Sequence, residues 1–495
     1  MNANALRDAR DYEDRYMPGV PEEERALFHL TGGIGWINDP NGFSYYKGEY
    51  HLFYQYHPYS TDWGPMHWGH AVTLDFIRWK RLPVALAPDT EADKDGCFSG
   101  SALEMPDGRH LLVYTGVTGE KLEDGTPFFR QAQCVAFGDG VNYRKYEGNP
   151  VLNGQDVPES GSTIDFRDPR VWRDDDGMYR MVVGNRTAGG NGSVLMYESA
   201  DALHWNYVTS IDAGSQYGQM WECPDFFRLD GKQILMACPQ RMQPQGLEFH
   251  AGNNVMMLVG DYDRKTHEFT KQAVQSVDYG TDFYAAQTVK TPDQRQIMIA
   301  WMQNWDTAFA RPQNIHLFGE MTLPRELAIR NGKVVQNPVR ELAAYRKDPV
   351  VYRNITVEQE TSFPGVSGRT IDLTVTVRPS DAERVFRYFR IRVAKNEKYG
   401  TCIRYNPEAG AIRVDRTGSG LPYDIVNVRD FLIDPRGGEV KLRIILDRHS
   451  LELFAQDGEQ AATFMIHTPQ DAVSMSFEAE GAAAVVDIEK YELFR

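Results

Sequence analysis

The chain has 495 residues, of which 42% are hydrophobic and 25% are charged, as is typical of globular proteins. Its length predicts two domains, because a single core of that size is uncommon. The formal net charge of −16 argues against nucleic acids and anionic membranes as partners, since both attract basic surfaces.

The first thirty residues are rich in Glu, Asp and Arg, and we expect them to form a helical lead-in, residues 1–30. No apolar run long enough for a signal peptide or a membrane-spanning helix follows. The five cysteines are odd in number, widely spread and without CxxC spacing, which favours neither disulfides nor a zinc site. These features predict a cytoplasmic protein.

Residues 31–337 alternate short apolar runs with Gly, Pro, Asn and Asp, which is typical of β-strands and turns. Four hairpin-turn signals contain Gly48, Gly108, Gly177 and Gly231, which are 60, 69 and 54 residues apart, and 292–294 looks like a degenerate fifth turn. This spacing suits the five blades of a β-propeller catalytic domain. A long β-sandwich with regular hairpins is the alternative.

The same repeat aligns three acidic residues. Asp39, Asp168 and Glu222 each lie nine residues before a turn glycine. Equivalent positions of propeller blades are related by rotation about one axis, so these carboxylates should meet at one mouth of the channel. The same offset in the other two repeats leads to Ser99, Tyr284 and Ala285.

The last part of the chain has a different pattern. Residues 338–349 suggest a linker helix, and from 350 to 495 segments such as 370–377 alternate strictly between apolar and polar side chains. Such alternation is typical of half-buried strands. The predicted fold is therefore all-β: a five-bladed β-propeller catalytic domain followed by a C-terminal β-sandwich that supports it.

The first chemical cluster is the segment 35–42. Ordinary turn chemistry explains its Asp-Pro and Asn-Gly pairs. It does not explain Trp36, Asn38 and Asp39, because an acid beside an amide and an indole is costly to bury. Glycoside cleavage requires two carboxylates that flank the scissile bond, and Asp39 and Glu222 are the natural pair.

Three short motifs carry a resemblance to a known family. The segments 36–42 (WINDPNG), 167–169 (RDP) and 222–224 (ECP), in this order, resemble the signatures of glycoside hydrolase family 32, the invertases and fructanases. The stretch 65–101 is similar to bacterial intracellular sucrose and sucrose-6-phosphate hydrolases. The resemblance covers most of the chain, including the predicted sandwich.

The resemblance implies a retaining β-fructofuranosidase. It makes Asp39 the nucleophile, Glu222 the acid/base and Asp168 the transition-state stabiliser, with Arg167 keeping the acidic cluster ionised by charge pairing. The substrate would be sucrose, sucrose-6-phosphate or a short fructo-oligosaccharide, without a metal or another cofactor. The substrate-binding residues implied are Asn38, Gln55, Trp63, Phe98, Ser99, Arg167, Tyr284 and Trp301.

Other interpretations remain open from the sequence. A fructosyltransferase of the same fold would differ only in the acceptor, and a related propeller could cleave arabinan or xylan by inversion. A catalytically silent propeller could bind carbohydrate without cleaving it. Pairing of the predicted sandwich with a second subunit is also possible.

Three further signals have ordinary explanations. His67 and His70 lack an acidic partner for a metal, and Asp174–Gly177 lacks the spacing of a calcium loop, so it should be a hairpin turn. Cys223 has no base nearby in sequence and is interpreted as a small packing residue beside Glu222.

Overall fold

The computed structural model describes residues 4–121, 124–421 and 423–494. Strands make up 54% of it and helices 6%, which confirms the all-β class. The lead-in contains the helix α1 (Ala5–Tyr16) and two 3-10 turns, Met17–Gly19 and Glu22–Glu24. None of the helices in the described residues is both long and apolar enough to cross a membrane.

Five sheets follow, each with four antiparallel strands. The four strands of a sheet are consecutive along the chain, except in the fifth sheet, where one short strand intervenes. The first two sheets contain β1 (Gly35–Tyr46), β2 (Glu49–His57), β3 (His67–Thr73), β4 (Trp79–Leu86), β5 (Gly96–Glu104), β6 (His110–Lys121), β7 (Pro127–Gly138) and β8 (Tyr143–Lys145). The third and fourth contain β9 (Gly161–Arg173), β10 (Tyr179–Thr187), β11 (Gly192–Ser199), β12 (Asn206–Asp212), β13 (Met220–Leu229), β14 (Lys232–Gln240), β15 (Met256–Asp263) and β16 (Glu268–Ser276).

The fifth sheet consists of β17 (Tyr284–Lys290), β18 (Gln296–Trp301), β20 (Arg325–Arg330) and β21 (Lys333–Pro338). The short strand β19 (Leu317–Phe318) lies between β18 and β20 along the chain, but it belongs to the first sheet, where it pairs in parallel with β1. The end of the series is thereby hydrogen-bonded to its beginning.

The first strands of the five sheets contact one another in order. β1 contacts β5, β5 contacts β9, β9 contacts β13, β13 contacts β17, and β17 contacts β1. The turn glycines identified from sequence connect the first and second strands of their sheets, with φ between 80° and 89°. Such angles explain why glycine occupies these positions.

Each of these first strands also carries a β-bulge, where its register with the second strand shifts. The shifts lie at Asp39, Ser99, Asp168, Cys223 and Ala285, the positions reached by the nine-residue offset or immediately beside them. A bulge redirects the side chains next to it. The repeat in the sequence therefore reports a repeated backbone irregularity.

A 3-10 helix, Arg340–Tyr345, leads into two further sheets that share one hydrophobic core. The six-stranded sheet has the order β22 (Arg346–Val357), β32 (Ala484–Leu493), β23 (Ile371–Pro379), β28 (Val440–Leu446), β29 (Ser450–Ala455) and β30 (Gln460–Met465). The five-stranded sheet has the order β27 (Val428–Leu432), β26 (Ala411–Asp415), β25 (Thr401–Asn406), β24 (Tyr388–Lys395) and β31 (Ser474–Glu480).

Buried ion pairs join the lead-in, the fifth sheet and β29. His29 lies 2.8 Å from Asp447 through Nδ1 and 2.9 Å from Glu452 through Nε2. Glu452 also accepts hydrogen bonds from Arg325 at 3.1 and 2.5 Å. Burial alone would lower the pKa of His29, but the bonds to Asp447 and Glu452 raise it to about 10. The proton on His29 therefore stabilises the fold fully below pH 6.5, and this contribution is lost as the pH rises toward 10.

Replacing Glu452 with glutamine should lower the free energy of unfolding by about 3–5 kcal/mol, because two buried cations lose their shared carboxylate. Urea unfolding followed by circular dichroism measures this. The matched control is Glu147→Gln, since the ion pair between Glu147 and Arg144 is 82% and 83% exposed and should contribute less than about 1 kcal/mol. Equal shifts for both variants would contradict the expectation.

Candidate active site

A cavity of about 410 Å³ is lined by residues at or beside the bulges of β1, β5, β9 and β13. Asp39, Asp168 and Glu222 all line it, so the structure brings together the three carboxylates that the sequence repeat singled out. The complete lining consists of Asn38, Asp39, Gln55, Trp63, Phe98, Ser99, Gln131, Asp165, Arg167, Asp168, Glu222, Gln240 and Trp305.

Asp39 is held by its neighbours in one orientation. Its Oδ2 accepts a hydrogen bond from Ser99 Oγ at 2.6 Å, and its Oδ1 accepts one from Asn38 Nδ2 at 3.0 Å. Trp36 Nε1 donates to Asn38 Oδ1 at 2.7 Å, which explains the buried indole beside the acid. Burial raises the pKa of Asp39, although the bond from Ser99 opposes this, and the charge of Glu222 adds to it.

Asp168 occupies the bulge of β9 with a positive φ of 64°, a conformation that a non-glycine residue adopts only at some cost. Its Oδ2 accepts the backbone N–H of Cys223 at 2.9 Å and lies 4.0 Å from Arg167 Nε. Burial raises the pKa of Asp168 to about 7, because the opposing effect of Arg167 is incomplete and nearby carboxylates add to the rise.

Glu222 is oriented from both sides. Its Oε1 accepts hydrogen bonds from Arg167 Nη2 at 2.8 Å and Nε at 3.1 Å, and its Oε2 accepts one from Tyr284 OH at 2.7 Å. Arg167 also lies 3.3 Å from Asp165. The guanidinium therefore pairs with the acidic cluster, as the resemblance implied, and makes its shortest contact with Glu222.

Cys223 fills the space between the carboxylates. Its Sγ lies 3.5 Å from Asp39 Oδ2 and 3.7 Å from Asp168 Oδ2. A hydrogen bond with Cys238 and burial both raise its pKa well above the usual value for a thiol. The sulfur therefore stays protonated at neutral pH, which agrees with its interpretation as a packing residue rather than a nucleophile.

The substrate-binding residues expected from the sequence fall into two groups. Asn38, Gln55, Trp63, Phe98, Ser99 and Arg167 line the cavity. Tyr284 and Trp301 do not line it. Tyr284 lies behind Glu222, which it orients, and Trp301 is fully buried, with its ring 5.8 Å from Trp36 and 5.0 Å from Trp305. The indole that lines the cavity is that of Trp305, which lies four residues beyond Trp301, the last residue of β18.

Four lining residues were not expected from the sequence: Gln131, Asp165, Gln240 and Trp305. Asp165 lies three residues before Asp168 in β9, so proximity to a motif was the only signal available for it. Gln131 is on β7, where its Oε1 accepts the backbone N–H of Phe166 at 2.9 Å. No pattern along the chain connects Gln131 or Gln240 with the carboxylates.

The two histidines and the acidic segment that could suggest metal sites make ordinary hydrogen bonds within the protein. His67 Nδ1 lies 3.0 Å from the carbonyl oxygen of Pro65, and His70 Nε2 lies 3.0 Å from His51 Nδ1. The segment 174–177 forms the predicted turn, in which the N–H of Gly177 donates to the Asp174 carbonyl at 2.9 Å.

Comparison with known proteins assigns the family. The models of the N-terminal domain and the C-terminal part of glycosyl hydrolases family 32 match residues 29–338 and 341–492. The chain belongs to this family. It is therefore a glycoside hydrolase, and the resemblance drawn from its three short motifs is confirmed.

Individual relatives extend over nearly the whole chain. A sucrose-6-phosphate hydrolase from Zymomonas mobilis is 37% identical over 454 residues, covering 89% of this chain and 85% of the relative. A raffinose invertase from Escherichia coli is 36% identical over 479 residues, or 93% of each chain. The solved structure of a family 32 β-fructofuranosidase from Bombyx mori is 32% identical, with a TM-score of 0.84 over 100% of this chain and 99% of that one.

Proposed function

We propose that this glycoside hydrolase is a retaining β-fructofuranosidase, which releases terminal β-D-fructofuranosyl units through a covalent fructosyl-enzyme. One observation carries the proposal. Asp39 and Glu222 line the same cavity, each held by its own donors, and Asp168 lines it as well. Relatives named invertase and sucrose-6-phosphate hydrolase support a β-fructofuranoside as the substrate.

In the first step, a carboxylate oxygen of Asp39 attacks C2 of the fructosyl unit. The bond from C2 to the glycosidic oxygen breaks, and its electron pair stays on that oxygen, which takes a proton from Glu222. Ser99 and Asn38 hold Asp39 by bonds of 2.6 and 3.0 Å, so attack requires little reorientation of the nucleophile.

In the second step, Glu222 removes a proton from a water molecule, whose oxygen attacks C2 and displaces Asp39. Two displacements at the same carbon give net retention of configuration. Arg167 and Tyr284 hold both oxygens of Glu222 in place for its two proton transfers. Asp168 accepts hydrogen bonds from sugar hydroxyls, and its charge stabilises the positive charge that develops at C2.

We also propose how the sheets are divided into domains. The closed order of contacts among β1, β5, β9, β13 and β17 supports a five-bladed propeller spanning residues 31–337. The shared core of the last two sheets supports a β-sandwich over 350–495, joined through a linker at 338–349. The propeller supplies all the cavity-lining residues. We also propose a cytoplasmic location, as the sequence predicted.

The test is to measure free glucose and fructose released from sucrose, 1-kestose and inulin, with proton NMR of the first fructose formed. β-Fructofuranose as the first product would support retention, whereas the α-anomer would overturn it. Glucose that accumulates well ahead of fructose from sucrose would indicate transfer to sugar rather than to water. Absence of fructose from all substrates would favour a silent binding protein.

The pH profile provides a further expectation. Burial raises the pKa of Asp168 to about 7 and also raises the pKa of Asp39. Both groups act as carboxylates, so protonation of either removes activity, and kcat/KM should fall about tenfold per pH unit as the pH drops below about 7. Initial rates between about pH 4 and about pH 8, with circular dichroism as a control for folding, measure the effect. A constant kcat/KM down to about pH 4 would contradict it.

A further inference from the structure

The charges of the cavity bear on which β-fructofuranoside it accepts, an inference that rests on the proposed function. The proton donor Glu222 stands where the leaving group departs. Arg167 joins Glu222 to Asp165, with distances of 2.8 Å to Glu222 Oε1 and 3.3 Å to Asp165 Oδ1. Asp39, with Asn38 and Ser99, marks the fructosyl end. Asp165 therefore belongs to the leaving-group end of the cavity.

The lining of this cavity is strongly acidic. Its ionisable side chains are the carboxylates of Asp39, Asp165, Asp168 and Glu222 and a single guanidinium, that of Arg167, among the residues described. Arg167 is buried and makes ion pairs with Glu222, Asp165 and, at 4.0 Å, Asp168. Its charge is therefore already used inside the cavity.

A second guanidinium, that of Arg186, pairs with the Asp165 carboxylate. Arg186 lies on β10, is 42% exposed and pairs with Asp165 Oδ2 at 3.0 Å. Asp165 thus pairs with two guanidinium groups, that of Arg167, which lines the cavity, and that of the more exposed Arg186. A phosphate on the leaving sugar would have to take one of them from this carboxylate and remain beside its negative charge.

We propose that Asp165 is a specificity-determining residue, which makes the leaving-group end select uncharged sugars and reject a leaving glucosyl unit that carries a phosphate. A phosphate monoester bears about −1.5 to −2 charges near pH 7. Specificity against a charged competitor commonly comes from such a like charge built into the site. Neutral hydroxyls instead find amide partners in Gln131 and Gln240, which line the same cavity.

The experiment compares kcat/KM for sucrose, sucrose 6-phosphate and raffinose. Raffinose carries a neutral galactosyl group on the oxygen that carries the phosphate in sucrose 6-phosphate, so it controls for bulk. We expect hydrolysis of sucrose and raffinose, with sucrose 6-phosphate at least about tenfold poorer. The gap should narrow when salt is raised from about 0.01 M to about 0.5 M, because salt screens the repulsion.

The variant Asp165→Asn should raise the ratio of kcat/KM for sucrose 6-phosphate to that for sucrose by about three- to tenfold. A ratio measured within one variant is insensitive to any general loss of activity caused by moving Arg167. The matched control is Asp176→Asn, which removes the same charge at the far end of the β9–β10 hairpin, where Asp176 pairs with Arg180. Its ratio should not change.

Each other outcome has a distinct meaning. Sucrose 6-phosphate hydrolysed as well as sucrose would overturn the inference while leaving the proposed function intact. Raffinose as poor as sucrose 6-phosphate would show that bulk rather than charge decides, and would also overturn it. If Asp165→Asn left the ratio of kcat/KM for sucrose 6-phosphate to that for sucrose unchanged, Asp165 would not be a specificity-determining residue. Failure to cleave any of the three sugars would contradict the proposed function itself.

Discussion

The variant Asp39→Asn should hydrolyse sucrose at least about a thousandfold more slowly than the unaltered chain, which is the scale on which loss of a catalytic group is felt. The side chains are nearly isosteric, so the cavity keeps its shape. An amide is neutral and a poor nucleophile, however, and it offers one acceptor oxygen where Asp39 offers two, to Ser99 and Asn38. The attack on C2 is therefore lost while sugar binding persists.

The thermal stability of Asp39→Asn distinguishes a loss of catalysis from a loss of structure. Burial raises the pKa of Asp39, so keeping this carboxylate ionised at neutral pH costs the folded state free energy. Asparagine removes that cost, and the thermal midpoint should stay unchanged or rise. An inactive variant that also unfolds earlier would point to structural damage. Asp176→Asn serves as the matched control and should keep its activity within about twofold. Near-normal turnover by Asp39→Asn would rule out Asp39 as the nucleophile.

The sequence could locate the bulges because each one lies at a constant distance from a hairpin turn. The glycines of these turns have φ values near 85°, and that requirement makes the turns visible in the sequence. Asp39, Asp168 and Glu222, which line one cavity, could thus be placed together from the sequence. What the repeat reveals is strand geometry, which is local and periodic.

The rest of the cavity depends on contacts between sheets. Gln131 reaches the site because β7 runs beside β9, and Trp305, four residues beyond the last residue of β18, lines it as well. Neither arrangement leaves a periodic mark on the sequence. The expectation for Trp301 shows the same limit, since a motif identifies an aromatic residue without showing which of two neighbouring indoles lines the cavity.

The variant Glu222→Gln should also lose at least about a thousandfold of sucrose hydrolysis, but in a different way. Glutamine keeps an acceptor oxygen for Arg167, and its amide can donate to the oxygen of Tyr284, so the site should remain assembled. It can neither protonate the glycosidic oxygen nor activate water. Both steps of the reaction therefore slow, while Asp39 keeps its ability to attack.

This difference can be measured with an aryl β-fructofuranoside, whose phenolate departs without a proton. In Glu222→Gln it should give a burst of phenolate close to one equivalent of enzyme, because the fructosyl-enzyme forms but water is not activated to release it. Azide needs no general base, so it should restore turnover and yield a fructosyl azide, whereas Asp39→Asn should show neither burst nor rescue. If the aryl substrate and sucrose lost activity equally and azide had no effect, Glu222 would not be the acid/base. A burst confined to Glu222→Gln would assign the two carboxylates to separate roles, which the loss of activity in either variant alone cannot do.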